Sequence, residues 1–247
     1  MEQYTHLAQV YDDMIDMEYD KWMEFLKEYF KGKDINLKGK KALELGCGTG
    51  NMTFRLKENG IDVTAVDISR DMLTIAEEKA RNKRLKIMFL NQDMTKINTG
   101  KEYDFVFSFC DGYNYILTEE KLEKSFKGVY KHLKPGGYFI FDISTSHKLK
   151  NIMGNNTFTM NRDELCYIWD NYLEDDILEM YITFFVKEGV LYRRFDEKHE
   201  QKIYDLNNLK QILIETGFKN VEVYEDYSFE SVKENSIRGT FIAYKEE

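Results

Sequence analysis

Lys41-Ala42-Leu43-Glu44-Leu45-Gly46-Cys47-Gly48-Thr49-Gly50-Asn51-Met52-Thr53 decides the fold of this chain. Ala42 to Leu45 reads as a short buried strand, and the stretch from about Asn51 to Asn59 reads as a helix. Between them stand three glycines at alternate positions. Glycines at a strand-to-helix turn let the backbone adopt positive φ and let a ligand approach the main chain closely. Asp67 ends the next apolar run, Asp62-Val63-Thr64-Ala65-Val66. An acid at the tip of a second strand is placed to accept hydrogen bonds from both hydroxyls of a ribose. The segment is built to hold a nucleoside.

The glycine spacing narrows the choice. The dinucleotide fingerprint is GxGxxG, whose third glycine allows close helix–strand packing. Here the pattern is GxGxG, Asn51 stands where that third glycine would be, and Glu44 lies two residues before Gly46. The whole E-x-G-x-G-x-G arrangement resembles motif I of the class I S-adenosylmethionine-dependent methyltransferases. Later segments fall where that family places its own. Asp67-Ile68-Ser69 with Met72-Leu73 resembles the second motif. Leu85 to Leu90 reads as a third strand ending at Asn91-Gln92-Asp93-Met94. Tyr103 to Phe109 reads as a fourth, leading into Cys110-Asp111-Gly112. A helix from about Glu119 to Leu133 precedes Lys134-Pro135-Gly136-Gly137, a tight turn into a strand over Tyr138 to Asp142. The resemblance covers roughly Lys40 to Ser144 and the C-terminal tail.

The resemblance implies S-adenosyl-L-methionine as co-substrate and assigns residues to it. Gly46, Cys47 and Gly48 would face the methionyl part, and Glu44 would orient its ammonium end directly or through the loop. Asp67 would hold the ribose, Asp93 and Met94 would read adenine, and Ile68 and Met72 would pack the ring. Cys110 and Asp111 would border the methyl, and Tyr11 of the Tyr11-Asp12 pair is similar to the family's lid tyrosine. Blander readings stand beside these: Glu44 satisfying loop amides, Asp67 as a helix N-cap, Asp93 as a strand terminator, Cys110 as a wall residue and not a nucleophile. No catalytic residue is assigned; His147, just past the fifth strand, and Asp111 are the candidates, with His147 otherwise a loop histidine and His132 structural. Asp111 and Asp142 fit two places of the metal-assisted O-methyltransferases, but Ile143 replaces the expected Asn, so no metal is expected. Phe109-Cys110-Asp111-Gly112 does not match the D/N-P-P-Y/F motif of nucleic-acid and glutamine amino methyltransferases.

Composition and patterning set the surroundings. The chain has 247 residues and a net charge of −9, which disfavours a broad nucleic-acid footprint. Ile182 to Val186 is among its longest apolar runs, far short of the roughly 20 residues of a membrane helix. Met1-Glu2-Gln3-Tyr4 lacks a basic-then-apolar leader, and Cys47, Cys110 and Cys166 are few and scattered, so a reducing cytoplasm is expected. The expected fold is α/β: a Rossmann-like, seven-stranded, mostly parallel sheet with helices on both faces, plus an inserted small antiparallel sheet. Its parts are an N-terminal helical cap (1–34, helices over Tyr4 to Met17 and Asp20 to Phe30), a cofactor-binding domain (35–150 and 205–247) and an insert (151–204). The insert carries Tyr167, Trp169, Tyr172, Tyr181, Phe184, Tyr192 and Phe195 on three or four strands, to cover a substrate or form a dimer surface. At most one of Arg193 and Arg194 should meet an acidic substrate group, since neighbours on a strand face opposite ways. The expected function is methyl transfer to an O or N of a small molecule, by a monomer or homodimer without nucleic acid or membrane. A nicotinamide oxidoreductase and a non-catalytic adenosylmethionine-binding module are the alternatives.

Overall fold

The computed structural model describes residues 7–15 and 17–246. A 3₁₀ turn (Leu7–Gln9) and the short α1 (Tyr11–Met14) precede α2 (Tyr19–Gly32). Strand and helix then alternate through β1 (Lys41–Leu45), α3 (Asn51–Glu58), β2 (Asp62–Asp67), α4 (Arg70–Asn82) and β3 (Met88–Asn91). Next come β4 (Tyr103–Ser108), a 3₁₀ turn (Gly112–Tyr115), α5 (Glu119–His132) and β5 (Leu133–Ser144). A π-helical turn (His147–Met153) leads into β6 (Thr157–Asn161), β7 (Leu165–Glu174), β8 (Ile177–Glu188) and β9 (Leu191–Lys202). The chain closes with α6 (Leu206–Thr216), β10 (Lys219–Glu225) and β11 (Arg238–Tyr244).

Seven strands form one sheet in the order β10-β11-β5-β4-β1-β2-β3, and β6 to β9 form a second, antiparallel sheet. From β5 to β3 every neighbouring pair is parallel, whereas β11 runs antiparallel to both β5 and β10. Strand order reverses between β1 and β4, the place where open α/β sheets leave a crevice at the carboxyl ends. Apolar spacing fixes which helix faces cover the sheet. Trp22, Phe25, Leu26, Tyr29 and Phe30 of α2 recur at the three- and four-residue spacing of one helix face and pack on Phe105, Phe107 and Ile140. Leu122, Phe126 and Val129 of α5 cover the opposite face with Leu209 and Leu213 of α6. Thus Trp22 and Phe25 are core residues.

Three boundaries differ from the sequence reading. The expected first helix is broken: Val10 has φ −116° and ψ 0°, and Ile15 is extended, because Leu7, Ala8 and Val10 bury against Met72, Phe184 and Phe195. Tyr4 lies outside the described residues. The third strand starts at Met88, since Leu85 N–H instead bonds the carbonyl of Ala80 and closes α4. The Lys134-Pro135-Gly136-Gly137 turn sits inside β5 as a bulge. Tyr103 pairs with Leu133 but Phe105 with Tyr138, while Lys245 bonds both Gly136 and Gly137.

Arg238, buried at the start of β11, joins the layers. Its guanidinium pairs with Asp142 of β5, lies 3.5 Å from Asp111 and 3.3 Å from Asp226, and stacks 5.1 Å over the Trp22 ring of α2. The Tyr227 hydroxyl donates to Asp142 (3.0 Å) and its ring stacks on Trp22 at 4.6 Å. Removing one partner of a buried ion pair leaves the other uncompensated, at a cost of about 3–5 kcal/mol. Arg238→Met should therefore lower the free energy of unfolding by that amount, read as a lower urea midpoint at unchanged m-value, and a variant as stable as wild type would show the pairing to be neutral.

Candidate active site

The glycine loop between β1 and α3 uses its residues for two purposes. Gly50 has φ +87°, and a Cβ there would meet the Phe54 ring at 3.0 Å and Ala76 at 3.4 Å, so this glycine lets α3 and α4 close together. Gly46 and Gly48 also have positive φ, and a Cβ at each would lie in ordinary contact with Met94 (3.4 Å) and Tyr11 (3.9 Å), both of which line the cavity. The loop is held from β2 by Asp67. One carboxylate oxygen accepts from Gly48 N–H and the other from Ser69 N–H, both at 2.8 Å. Burial raises this carboxyl above its usual range in spite of those main-chain donors. Each oxygen keeps acceptor capacity for a further donor. The N-cap of α4 is Ser69, which accepts from Met72 N–H, so Asp67 is not the cap.

At the end of β3, one Asp93 oxygen accepts from both the amide and the hydroxyl of Thr95 (2.8 Å each). The Met94 carbonyl accepts from Ser125 of α5 (3.0 Å), which fixes that turn. At the end of β4, Cys110 (φ +59°) and Asp111 (φ +50°) are consecutive left-handed non-glycine residues. Such residues cost of order 1–3 kcal/mol each and persist where surroundings over-determine them. Here Asp111 N–H donates to Asp142 (3.1 Å), and Gln201 donates to the Asp111 carboxylate (2.7 Å). Burial opposes its charge, but Lys148, Arg238 and the Gln201 amide outweigh it and hold Asp111 below the usual carboxylate range. Burial also pushes the Cys110 thiol up to about 12 and the Tyr11 phenol well above its ordinary value, so both stay protonated at neutral pH.

These groups face one cavity of about 510 Å³, within the roughly 300–1,000 Å³ of small-molecule sites. Tyr11, Gly46, Gly48, Asp67, Ile68, Met72, Asp93, Met94, Cys110 and Asp111 all line it. Glu44 and Cys47 do not. Glu44 lies beneath the loop, 2 % exposed, with Thr53 donating to it (2.5 Å), and Cys47 packs on Ala65 and Leu73. His147 is also off the cavity, 3.2 Å from the Asn151 amide, although its neighbour Lys148 lines it. Neither Arg193 nor Arg194 reaches the cavity: the first pairs with Glu188 and Gln9, the second with Asp196.

The far wall comes from the second sheet. Strand register aligns Trp169, Ile182 and Glu197 in one row, and Asn171, Met180 and His199 in the next. Trp169, Met180, Ile182, His199 and Gln201 line the cavity, while Tyr172, Tyr181 and Tyr192 face outward. Phe184 and Phe195 are core.

Known proteins resemble this chain in sequence and fold. A family model described as a methyltransferase domain matches residues 42–137. A Geobacillus sp. (strain WCH70) protein, named a methyltransferase with no acceptor stated, is 37 % identical over 98 % of this chain and 99 % of its own. The similarly named YqeM of Bacillus subtilis (strain 168) is 34 % identical over 98 % and 97 %. The chain belongs to the methyltransferases. A solved relative names the co-substrate: the crystal structure of an S-adenosylmethionine-dependent methyltransferase from Clostridium acetobutylicum ATCC 824 superposes with a TM-score of 0.91 at 37 % identity, covering 99 % of each chain. The co-substrate of this methyltransferase is therefore S-adenosylmethionine. The cavity suits it: side chains at Gly46 and Gly48 would project into the space beside Asp67, where the ligand must approach the main chain.

His199, Gln201, Tyr115 and Lys148 are among the cavity residues of this methyltransferase that the sequence reading does not assign. A signal for two of them existed. On β9, Phe195, Glu197, His199 and Gln201 alternate with exposed Asp196 and with Lys198 and Glu200, which puts His199 and Gln201 on the face of a buried aromatic. Burial pushes the His199 imidazole down to about 4, so it is neutral at pH 7.

Burial also pushes the Glu44 carboxyl up to about 8, only partly opposed by the Thr53 hydroxyl. Its folded-state value is thus above the ordinary 4.5, so its contribution to stability is present at low pH and is lost as pH rises towards 8. Glu44→Gln removes that loss. Its stability relative to wild type should grow by about 1 kcal/mol per pH unit between roughly pH 5.5 and 8, read from urea melts across the range. A difference independent of pH would mean that Glu44 is already ionised.

Proposed function

We propose that this methyltransferase transfers a methyl group to an oxygen or nitrogen of a small-molecule acceptor. One observation carries the reading: a single cavity joins the glycine loop, Asp67 and Asp93 on one side to the inner face of the antiparallel sheet on the other. S-adenosylmethionine supplies a methyl already activated on a sulfonium, so transfer needs an aligned nucleophile more than a strong base. In this reading Gly46 and Gly48 take the methionyl end, with Glu44 and Cys47 acting from beneath the loop. Asp67 takes the ribose, Asp93 and Met94 the adenine edge, and Ile68 and Met72 the ring faces. Tyr11 and Cys110 close the space around the methyl.

The acceptor half would be the work of Asp111, Gln201, His199 and Trp169. Asp111 is held ionised next to Cys110 in the cavity wall, and its carboxylate can orient an acceptor N–H or O–H. His147, off the cavity, is replaced as candidate base by His199. Residues 1–34 would act as a cap, 35–150 and 205–247 as the cofactor-binding domain, and 151–204 as a cover that keeps water from the acceptor. Among the described residues no helix is long and apolar enough to cross a membrane. A cytoplasmic monomer or homodimer, without a nucleic-acid partner, completes the proposal.

Calorimetry with adenosylhomocysteine tests the cofactor half. Wild type should bind at micromolar Kd, about −8 kcal/mol, and Asp67→Ala should weaken binding about 10–100-fold, the worth of charge-assisted hydrogen bonds to a ribose. Equal affinity of the two proteins would remove Asp67 from the ribose site.

A further inference from the structure

Among the described residues, α1 hydrogen-bonds to the glycine loop through Asp12, while the Tyr19 hydroxyl of α2 accepts a longer bond from the Asn51 amide (3.4 Å). Asp12 of α1 accepts from the Thr49 hydroxyl (2.7 Å) and the Asn51 amide (2.8 Å) with one carboxylate oxygen, and its other oxygen pairs with Lys79 of α4. Thr49 is 1 % exposed and stands between Gly48 and Gly50, and Lys79 also donates to its carbonyl (3.3 Å). Asp12 thereby touches the loop and the helix packed behind it. Burial opposes the Asp12 charge, but Lys79, Thr49 and Asn51 outweigh it and hold its carboxyl below the usual range.

The residue before it, Tyr11, is the cavity wall opposite Gly48. Leu7 and Met14 line the same cavity from the cap. The far edge of the cap is pinned to the second sheet, where Leu7 N–H donates to Glu197 (3.2 Å) and Arg193 donates to Gln9 (2.9 Å). A ligand lying on Gly46 and Gly48 is thus covered by a segment with anchors at two ends. The anchor at the cofactor end is Asp12, and the backbone between Val10 and Ile15 is a single helical turn with little hold of its own.

We propose that Asp12 is a positioning residue that latches the cap onto the glycine loop and thereby sets how long the co-substrate stays bound. The proposal rests on the cofactor site described above. Loop and cap share the latch, so Asp12 acts on a ligand it does not touch: when it lets go, Tyr11 is free to swing off Gly48. Loss of the latch should show mainly as faster dissociation, because the glycine loop and Asp67 that capture the ligand remain.

Adenosylhomocysteine is the probe, with rates read by surface plasmon resonance and Kd by calorimetry, and thermal melts checking that each variant is folded. Asp12→Ala should speed dissociation at least tenfold, with the association rate changed less than threefold. Thr49→Val and Lys79→Met, which cut the latch from the loop and from α4, should each speed it by a smaller factor. The double variant D12A/T49V should be no faster than D12A, since both remove the same contact. Dissociation from folded D12A within twofold of wild type would overturn the latch, and so would effects of D12A and T49V that multiply. Should D12A not fold, Thr49→Val and Lys79→Met decide by the same criterion of faster dissociation. No binding by wild type would overturn the cofactor site itself, and the latch with it.

Discussion

The guanidinium of Arg238 is the interaction on which the arrangement of this cavity depends. It reaches carboxylates from three separate places: Asp142 in β5, Asp111 after β4, and Asp226 in the turn before β11. Its open face lies on Trp22 of α2. Asp111 then passes the constraint on, through Gln201, to the second sheet. The seven-stranded sheet, α2 and the antiparallel sheet are therefore held relative to one another by largely buried charges, where the loss of a buried partner is costly. The strained backbone at Cys110 and Asp111 is compatible with this, because the network over-determines the position of the Asp111 carboxylate.

The two halves of the cavity are built differently. The half that faces Asp67 is made of main chain: glycine amides, strand ends and turns tied by short side-chain bonds. Such a surface suits a ligand whose shape never changes. The other half is made of side chains on β7, β8 and β9, with Trp169, Met180 and His199 exposed to one space. Its polar groups are few, and burial keeps His199 neutral while surrounding cations keep Asp111 ionised. Asp111 thus presents a carboxylate beside the proposed methyl, with Lys148 as a neighbouring cation, and a side-chain surface of this kind can differ between relatives that share the cofactor half.

Legibility in the sequence follows the same division. The cofactor half is a local pattern, glycines and acids at strand ends, and the sequence reading named ten residues that the fold brings to one cavity. Glu44 and Cys47 belong to that pattern but point beneath the loop, a matter of side-chain direction within a strand and a turn that spacing does not reveal. His147 was misplaced for a similar reason: a π-helical turn after β5 carries it away and turns Lys148 inward. His199 and Gln201 come from a strand more than fifty residues beyond the last motif, and only the sheet register brings them opposite Asp111. The bulge inside β5 and the break in the N-terminal helix were hidden too, since both arise from tertiary contacts that override local preference.

A crystal structure with adenosylhomocysteine bound tests the account most directly. The ribose hydroxyls should lie within hydrogen-bond distance of Asp67, the adenine beside Asp93 and Met94, and the sulfur next to Cys110 and Asp111, with His199 and Gln201 across the remaining space. A ligand seated elsewhere, or one whose sulfur points away from the wall formed by the second sheet, would contradict the proposal that cofactor and acceptor meet in this cavity.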